Sequence, residues 1–302
     1  MQGCAVMIDI SGFGTCCQFS SEAIAALTEA WKKLEKYQTS KTVFTQCREL
    51  LFAETGEPWD QLAQLAEKTG VHLFAVHQLF LIFCAEHTHV NYQKAGYADS
   101  LYWDAMKDLK YKMEETYQIY GIWGVYCGPW LASFLLMKCF CLGRLQFEIL
   151  PSEFRYELAG HTLHPHEPVI NVHIPSFGKL VYADVLDAYS RAAKFFAPLF
   201  PDGAVWFHCE TWLLYPQVNA LLPEGNMKRF SEDFDIVHAC IDPNQDDRYR
   251  VFMLPPHVPV AEYPEKNTLQ RKLKAWLLEG NTMGVGFGLF LWKDGEVVLH
   301  EK

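Results

Sequence analysis

At 302 residues the chain can form one large domain or two ordinary ones. Half of it is hydrophobic and 15% aromatic, which supplies a real core and argues against disorder. The formal net charge is −10, and both halves are acidic: residues 1–140 hold 11 Lys/Arg against 15 Asp/Glu, and residues 141–302 hold 15 against 21. No basic run interrupts this, so neither nucleic acid nor an anionic membrane is expected as a partner.

Residues 5–10 alternate enough to suggest a short strand, broken by Gly12 and Gly14. Helical patterns then dominate to about residue 142. Ser20 or Ser21 can cap a helix bearing Ile24, Leu27, Trp31 and Leu34, and Ser40 can cap a second with Val43, Phe44, Cys47 and Leu51. Pro58 suits the first turn of a third. A long apolar helix follows over about 71–89, then one over about 99–118. Gly128 and Pro129 introduce a last one, running through Cys141. The apolar stretch 71–85 contains His72, His77 and Gln78 and is too short to span a bilayer, so it reads as a buried helix.

At Gly143 the period changes from helix to strand. Arg144, Gln146 and Glu148 share one face of a first strand, with Leu145, Phe147 and Ile149 on the other. Strands are predicted over 154–158 and 169–174, a helix over 182–199, and a strand over 205–214. A short helix near 216–222 comes next, then strands near 234–241 and 249–254. A helix capped by Thr268 and a last strand over 283–292 complete the chain. The expected fold class is α+β, an all-α bundle over 1–142 followed by a mixed α/β sheet domain over 143–302.

The ten cysteines form no C-x-x-C pair and several lie in apolar helical patterns, which reads as reduced, mostly buried thiol in a cytoplasmic protein. Residues 1–17 lack a basic segment followed by a long apolar run, so no secretory leader is expected. The strand over 205–214 stands out because it places His208, Glu210 and Trp212 on one face and Cys209 and Thr211 on the other. Cys209 is a candidate nucleophile, and buried inert thiol is its plainer reading. The loop Pro175, Ser176, Phe177, Gly178, Lys179, Leu180 joins a strand to a helix, where backbone N–H groups suit a phosphate. His173, which ends the preceding strand beside Asn171, is a candidate general base. Gly284, Gly286 and Gly288 leave one strand face bare, either for a ligand or as packing room for a bulky aromatic such as Trp276. The histidines at 72, 77, 87, 89, 161, 164 and 166 read as surface or capping residues, and no metal is expected.

Several stretches follow one another in the chain: Leu142-Gly143-Arg144-Leu145-Gln146-Phe147-Glu148, His173-Ile174-Pro175 with Leu180, Ala192-x2-Phe195-Phe196, Cys209-x-Thr211-Trp212-Leu213-Leu214-x-Pro216, and Thr268-Leu269-Gln270-Arg271. Taken together and in this order, they resemble a bacterial family of acyltransferases with a helical N-terminal domain and a GNAT-like C-terminal domain. Tyr92 to Leu131 looks like the family's helical half. The chain departs from the family at Glu210 and Thr211, where a His-Ser pair is usual, at Tyr215 in place of Asp, and in lacking [QR]-x-x-G-x-[GA].

The resemblance implies antiparallel strands leading to a pyrophosphate loop at 175–180, a helix, and a splayed strand at 205–214, with acyl-CoA entering the splay. It implies acetyl-CoA or another acyl-CoA as co-substrate and a small-molecule or peptide amine as acceptor. His173 or Glu210 would be the base, Cys209 or Thr211 would lie near the leaving sulfur, and Arg144, Gln146, Glu148, His208 and Trp212 would hold the acceptor. A GNAT-like binding or regulatory module without catalysis is the alternative.

Overall fold

A computed structural model describes residues 8–242 and 247–298. The chain divides into two compact units, Met1–Phe140 and Cys141–Lys302.

Among the described residues the first unit holds seven helices: α1 (Ile10–Cys16), α2 (Ser21–Glu35), α3 (Ser40–Ala53), α4 (Trp59–Thr69), α5 (Leu73–Lys94), α6 (Asp99–Tyr120) and α7 (Gly128–Leu135). α5 is the centre. Every residue from Ala75 to Ala85 in it is buried, as expected of a helix apolar on all sides. Phe44 of α3 packs on Phe80 and Phe83, each at 5.6 Å between ring centroids. Trp59 of α4 meets the edge of His77, whose imidazole burial drives down to about 4. Backbone carbonyls of the bundle are used as well: Tyr102 Oη donates to Ala85 O and Thr88 Oγ1 to Leu135 O. No helix among the described residues is long and apolar enough to cross a membrane.

Three expectations for this half need correction. Residues 8–10 are not a strand, because Asp9 caps α1 by accepting from Gly12 N, and the helix runs through both glycines. Residues 5–7 lie outside the described residues. Ser40 is not a cap; it opens α3, and its hydroxyl donates to Leu34 O at 2.7 Å. α7 ends at Leu135, and after a turn a strand begins at Cys139.

The second unit is built on a seven-stranded sheet. Its strands are β1 (Cys139–Leu142), β2 (Leu145–Pro151), β5 (Pro168–His173), β6 (Val205–Thr211), β7 (Asp235–Ile241), β8 (Gly284–Lys293) and β9 (Glu296–Val298). β3 (Tyr156–Leu158) and β4 (His161–Leu163) form a separate hairpin. The helices are α8 (Tyr182–Phe195), α9 (Pro216–Asn219), α10 (Asn226–Glu232), α11 (Asp247–Phe252) and α12 (Thr268–Leu278). The order is β1-β2-β5-β6-β8-β7, with β9 beside β8. All the pairings from β2 to β9 are antiparallel except β5 with β6.

One sheet face is covered by α8. Its Tyr189 packs on Phe290 and Phe207, which stack at 4.7 Å. The opposite face is covered at one end by the hairpin, where Leu158 and Leu163 join Val169, Trp206, Leu289 and Leu291. A third cluster unites α12 with Tyr215, Val218, Phe252 and Met283.

The segment expected as an antiparallel strand between β2 and β5 is not in the sheet. It leaves as β3 and β4, and β2 pairs β5 directly. Residues 247–252 form α11 rather than a strand. β6 stops at Thr211 and continues as a 3-10 turn, Trp212–Leu214, because the Thr211 hydroxyl accepts from Leu213 N.

Candidate functional site

The parallel ladder between β5 and β6 has two register pairs, Ile170 with Phe207 and Asn171 with His208. Beyond them both strands continue, but each with its outer neighbour. β5 pairs β2 as far as His173 with Gln146, and β6 pairs β8 as far as Thr211 with Gly286. The middle of the sheet therefore parts at the C-terminal ends of β5 and β6, the position where open sheets receive ligands.

Register and alternation place Glu148, Asn171 and His208 in one row across the hairpin-side face, with Gln146, His173 and Glu210 in the next. A hydrogen-bonded network fills these rows. His173 Nε2 lies 2.7 Å from Glu148 Oε1, and Asn171 Nδ2 donates to the same oxygen at 3.0 Å. His208 Nδ1 lies 3.1 Å from Asn171 Oδ1. Burial pushes the Glu148 carboxyl up, but the His173 hydrogen bond and charge and the Asn171 amide together outweigh it and hold it below the ordinary range. Burial, helped by the charge of His173, drives His208 down to about 4. The network thus joins a carboxylate, an amide and two imidazoles on a rigid sheet. Gln146 is buried beside it, whereas Glu210 is exposed at the end of its row, opposite Phe287.

Arg144 does not lie on this face. Gly143, at φ +78°, makes a turn that puts Arg144 ahead of β2. Its guanidinium donates to Lys179 O at 3.0 Å, Pro175 O at 3.2 Å and Gly178 O at 3.4 Å, and stands 5.2 Å from the ring centre of Phe177. Arg144 thus ties down three carbonyls of the loop. Among the described residues, the amides of Gly178, Lys179 and Leu180 donate to no protein acceptor. α8 follows at once, and its N-cap residue, Val181, provides no side-chain cap. The loop and the first turn of α8 therefore offer a group of unclaimed donors at the positive end of a helix dipole.

The other expected site residues disperse. Cys209 faces α8, is buried, and its thiol donates to Val172 O at 3.3 Å. Burial, with the charge of Glu210 second, raises its pKa, so the thiolate that nucleophilic attack needs is not formed there. Iodoacetamide should consequently modify the exposed Cys16 and Cys240 well before Cys209, as peptide mass spectrometry can establish. Thr211 caps the turn after β6, and Trp212 packs partly against the Tyr215 cluster, off the face of His208. The glycines of β8 make room for the Leu214 backbone, Tyr215 and Phe234, not for Trp276. Among the described residues, no group of three or more His, Cys, Asp or Glu side chains is arranged to hold a metal.

Two buried polar groups had no assigned role in the sequence. Asn171 is 6% exposed, and a polar residue on the His173 face of an otherwise apolar strand was its only signal. Asp233 accepts from Tyr182 and Tyr189, and burial pushes it up to about 6. Nothing in the periodicity around it marks this.

Two family profiles match the chain: the N-acyltransferase N-terminal domain over residues 10–137 and the GNAT-like C-terminal domain over residues 139–290. The chain belongs to this N-acyltransferase family. No curated protein matches it. Three solved structures of similar fold are described as acyltransferases. One, a mutant in complex with octanoyl-CoA, has a TM-score of 0.75 at 17% identity over 93% of this chain and 87% of its own. A second, in complex with decanoyl-CoA and teicoplanin, has a TM-score of 0.66 at 17% identity over 93% and 98%. A third, in complex with CoA and 10C-teicoplanin, has a TM-score of 0.67 with the same identity and coverage. These likenesses give this N-acyltransferase family member its fold, a helical domain followed by a GNAT-like sheet.

Proposed function

We propose that the protein transfers an acyl group from acyl-CoA to the amine of a small-molecule or peptide acceptor. The observation that carries this reading is the parting of β5 from β6 with the Glu148–His173 pair on one lip and the unclaimed amides of residues 178–180 just beyond. The opening between the strands takes the pantetheine arm. The loop and the start of α8 take the diphosphate. The acceptor approaches the exposed end of the polar face, past Glu210.

In the reaction the amine nitrogen attacks the thioester carbonyl, the C–N bond forms and the C–S bond breaks. The amine proton passes to His173, whose imidazolium Glu148 stabilises, and the CoA thiolate leaves. Acetyl-CoA was the simplest expected donor. The acyltransferases of similar fold are described with octanoyl- and decanoyl-CoA, which supports a donor range reaching medium chains. Their teicoplanin complexes support a peptide-like acceptor. Calorimetry with CoA and with acetyl-, octanoyl- and decanoyl-CoA tests the reading, and no binding at millimolar ligand would reject it. The half-buried carboxylate–imidazole pair favours an enzyme over an inactive binding module, because an imidazole oriented by a carboxylate and still open on one side suits proton transfer.

Gly178 gives a sharper test. Its φ is +67°, and a Cβ there would meet no atom within 4 Å. Backbone conformation, not space, is what requires glycine at this position. Gly178→Val should redirect the neighbouring amides and weaken CoA binding by at least about tenfold, roughly 1.4 kcal/mol, with little change in melting because the loop is exposed. Lys179→Ala should cost less. A Gly178→Val variant that binds CoA as the wild type does would remove the loop from the site.

A further inference from the structure

The polar network fixes more than the position of His173. An ionised carboxylate only accepts hydrogen bonds, and Glu148 is held ionised by its partners. Asn171 must therefore turn its NH2 group to Glu148, as the 3.0 Å contact requires, and His173 must present Nε2–H to the same oxygen. The 3.1 Å approach of Asn171 Nδ2 to His173 Nε2 is then two donors converging on one acceptor. With its NH2 committed, Asn171 has only Oδ1 for His208, and an amide oxygen only accepts. His208 must carry its proton on Nδ1, which leaves Nε2 as a bare lone pair. That atom is buried and, among the described residues, has no hydrogen-bond partner. The His208 ring is flanked by Phe154 and Phe287, each with ring centroids 6.2 Å away, so the walls around it are apolar.

We propose that Asn171 is a positioning residue that fixes His208 in its Nδ1–H tautomer, so that His208 Nε2 receives a hydrogen bond from an N–H or O–H of the acceptor substrate. A buried acceptor without a partner is costly, and a donor brought by the substrate relieves that cost at the moment of binding. The enclosing Phe154 and Phe287 rings keep the contact dry, which strengthens it and makes it selective for a substrate that carries a donor. His208 is in this way a specificity group one row deeper than His173. The assignment rests on the acyl-transfer reading only for the identity of the ligand. The tautomer stands independently of it.

The test is long-range proton–nitrogen correlation NMR on the full chain with nitrogen-15-labelled histidine, near neutral pH, with the His208 signals assigned by their loss in His208→Gln. The wild type should show a neutral ring protonated at Nδ1. Asn171→Ala should lose that pattern. A wild-type ring protonated at Nε2 or at both nitrogens overturns the proposal, and so does an unchanged tautomer in Asn171→Ala. If Asn171→Ala does not fold, the wild-type tautomer decides alone, and a ring not protonated at Nδ1 overturns the proposal. In steady-state assays with saturating acyl-CoA, Asn171→Ala should raise the acceptor KM by about tenfold or more, with CoA affinity unchanged. An unchanged acceptor KM rejects the substrate contact. The tautomer measurement needs no turnover, so a failure of the acyl-transfer reading and a failure of this one are distinguishable.

Discussion

His173→Ala is expected to lower kcat/KM for acyl transfer by roughly 10²–10⁴-fold, the range typical of a lost general base, while leaving CoA affinity close to that of the wild type. The reason is positional. His173 ends β5, which is held on one side by β2 and is unpaired with β6 at this level. Its ring is fixed by a 2.7 Å contact to a carboxylate that the ring itself and the Asn171 amide keep ionised. Glu148→Gln should reduce the rate in the same direction by a smaller factor, because the amide still orients the ring but no longer stabilises its charged form. Glu210 is the competing base. It is exposed, and among the described residues its side chain makes no hydrogen bond or ion pair, so nothing fixes it toward a reacting amine. The decisive comparison is single-turnover acyl transfer in the His173→Ala and Glu210→Ala variants. A greater loss in Glu210→Ala would transfer the base to Glu210, and wild-type rates in His173→Ala would reject the assignment made here.

Much of the second unit was legible because strands advertise their faces. Alternation in residues 145–149 correctly separated Gln146 and Glu148 from Phe147 and Ile149, and the same rule put Asn171 and His173 together. Alternation says nothing about partners. Reading neighbours in sequence as neighbours in space threaded residues 154–158 between β2 and β5, whereas that segment leaves as a hairpin to cover the face. The contact between Glu148 and His173 spans 25 positions and follows from a register that only the folded sheet determines. Arg144 was misread for a local reason: the alternation was extended one residue past the Gly143 turn. Residues 249–254 were misread because a short apolar run cannot distinguish a strand from a buried turn of helix. Trp212 was misread because the Thr211 hydroxyl ends the strand, a capping event that period alone does not register.

Gly286→Ala should destabilise the second unit by about 3 kcal/mol, the upper end of what overpacking costs, and Gly286→Val should prevent its folding. A Cβ on Gly286 would lie 2.1 Å from the Leu214 carbonyl oxygen and 2.3 Å from its carbonyl carbon. Both are backbone atoms of the turn that closes β6, so no side-chain rotation can relieve the clash. Gly284 and Gly288 are similarly tight, against Cys240 O at 2.3 Å and Phe234 Cβ at 2.7 Å, so the strand cannot slide to either side. β8 is an interior strand, paired at this position with Thr211 of β6 and Ala239 of β7. Moving it would break both ladders at once. Gly56→Ala is the control, since its nearest atom, Leu50 Cδ2, is 3.7 Å away. Urea denaturation followed by tryptophan fluorescence should show the Gly286→Ala midpoint well below that of Gly56→Ala. Because Thr211–Gly286 is the last rung holding the end of β6, CoA affinity should fall along with stability. A wild-type midpoint would mean that the turn after β6 lies elsewhere, and Glu210 would then lose the only structural reason to stand at the mouth of the opening.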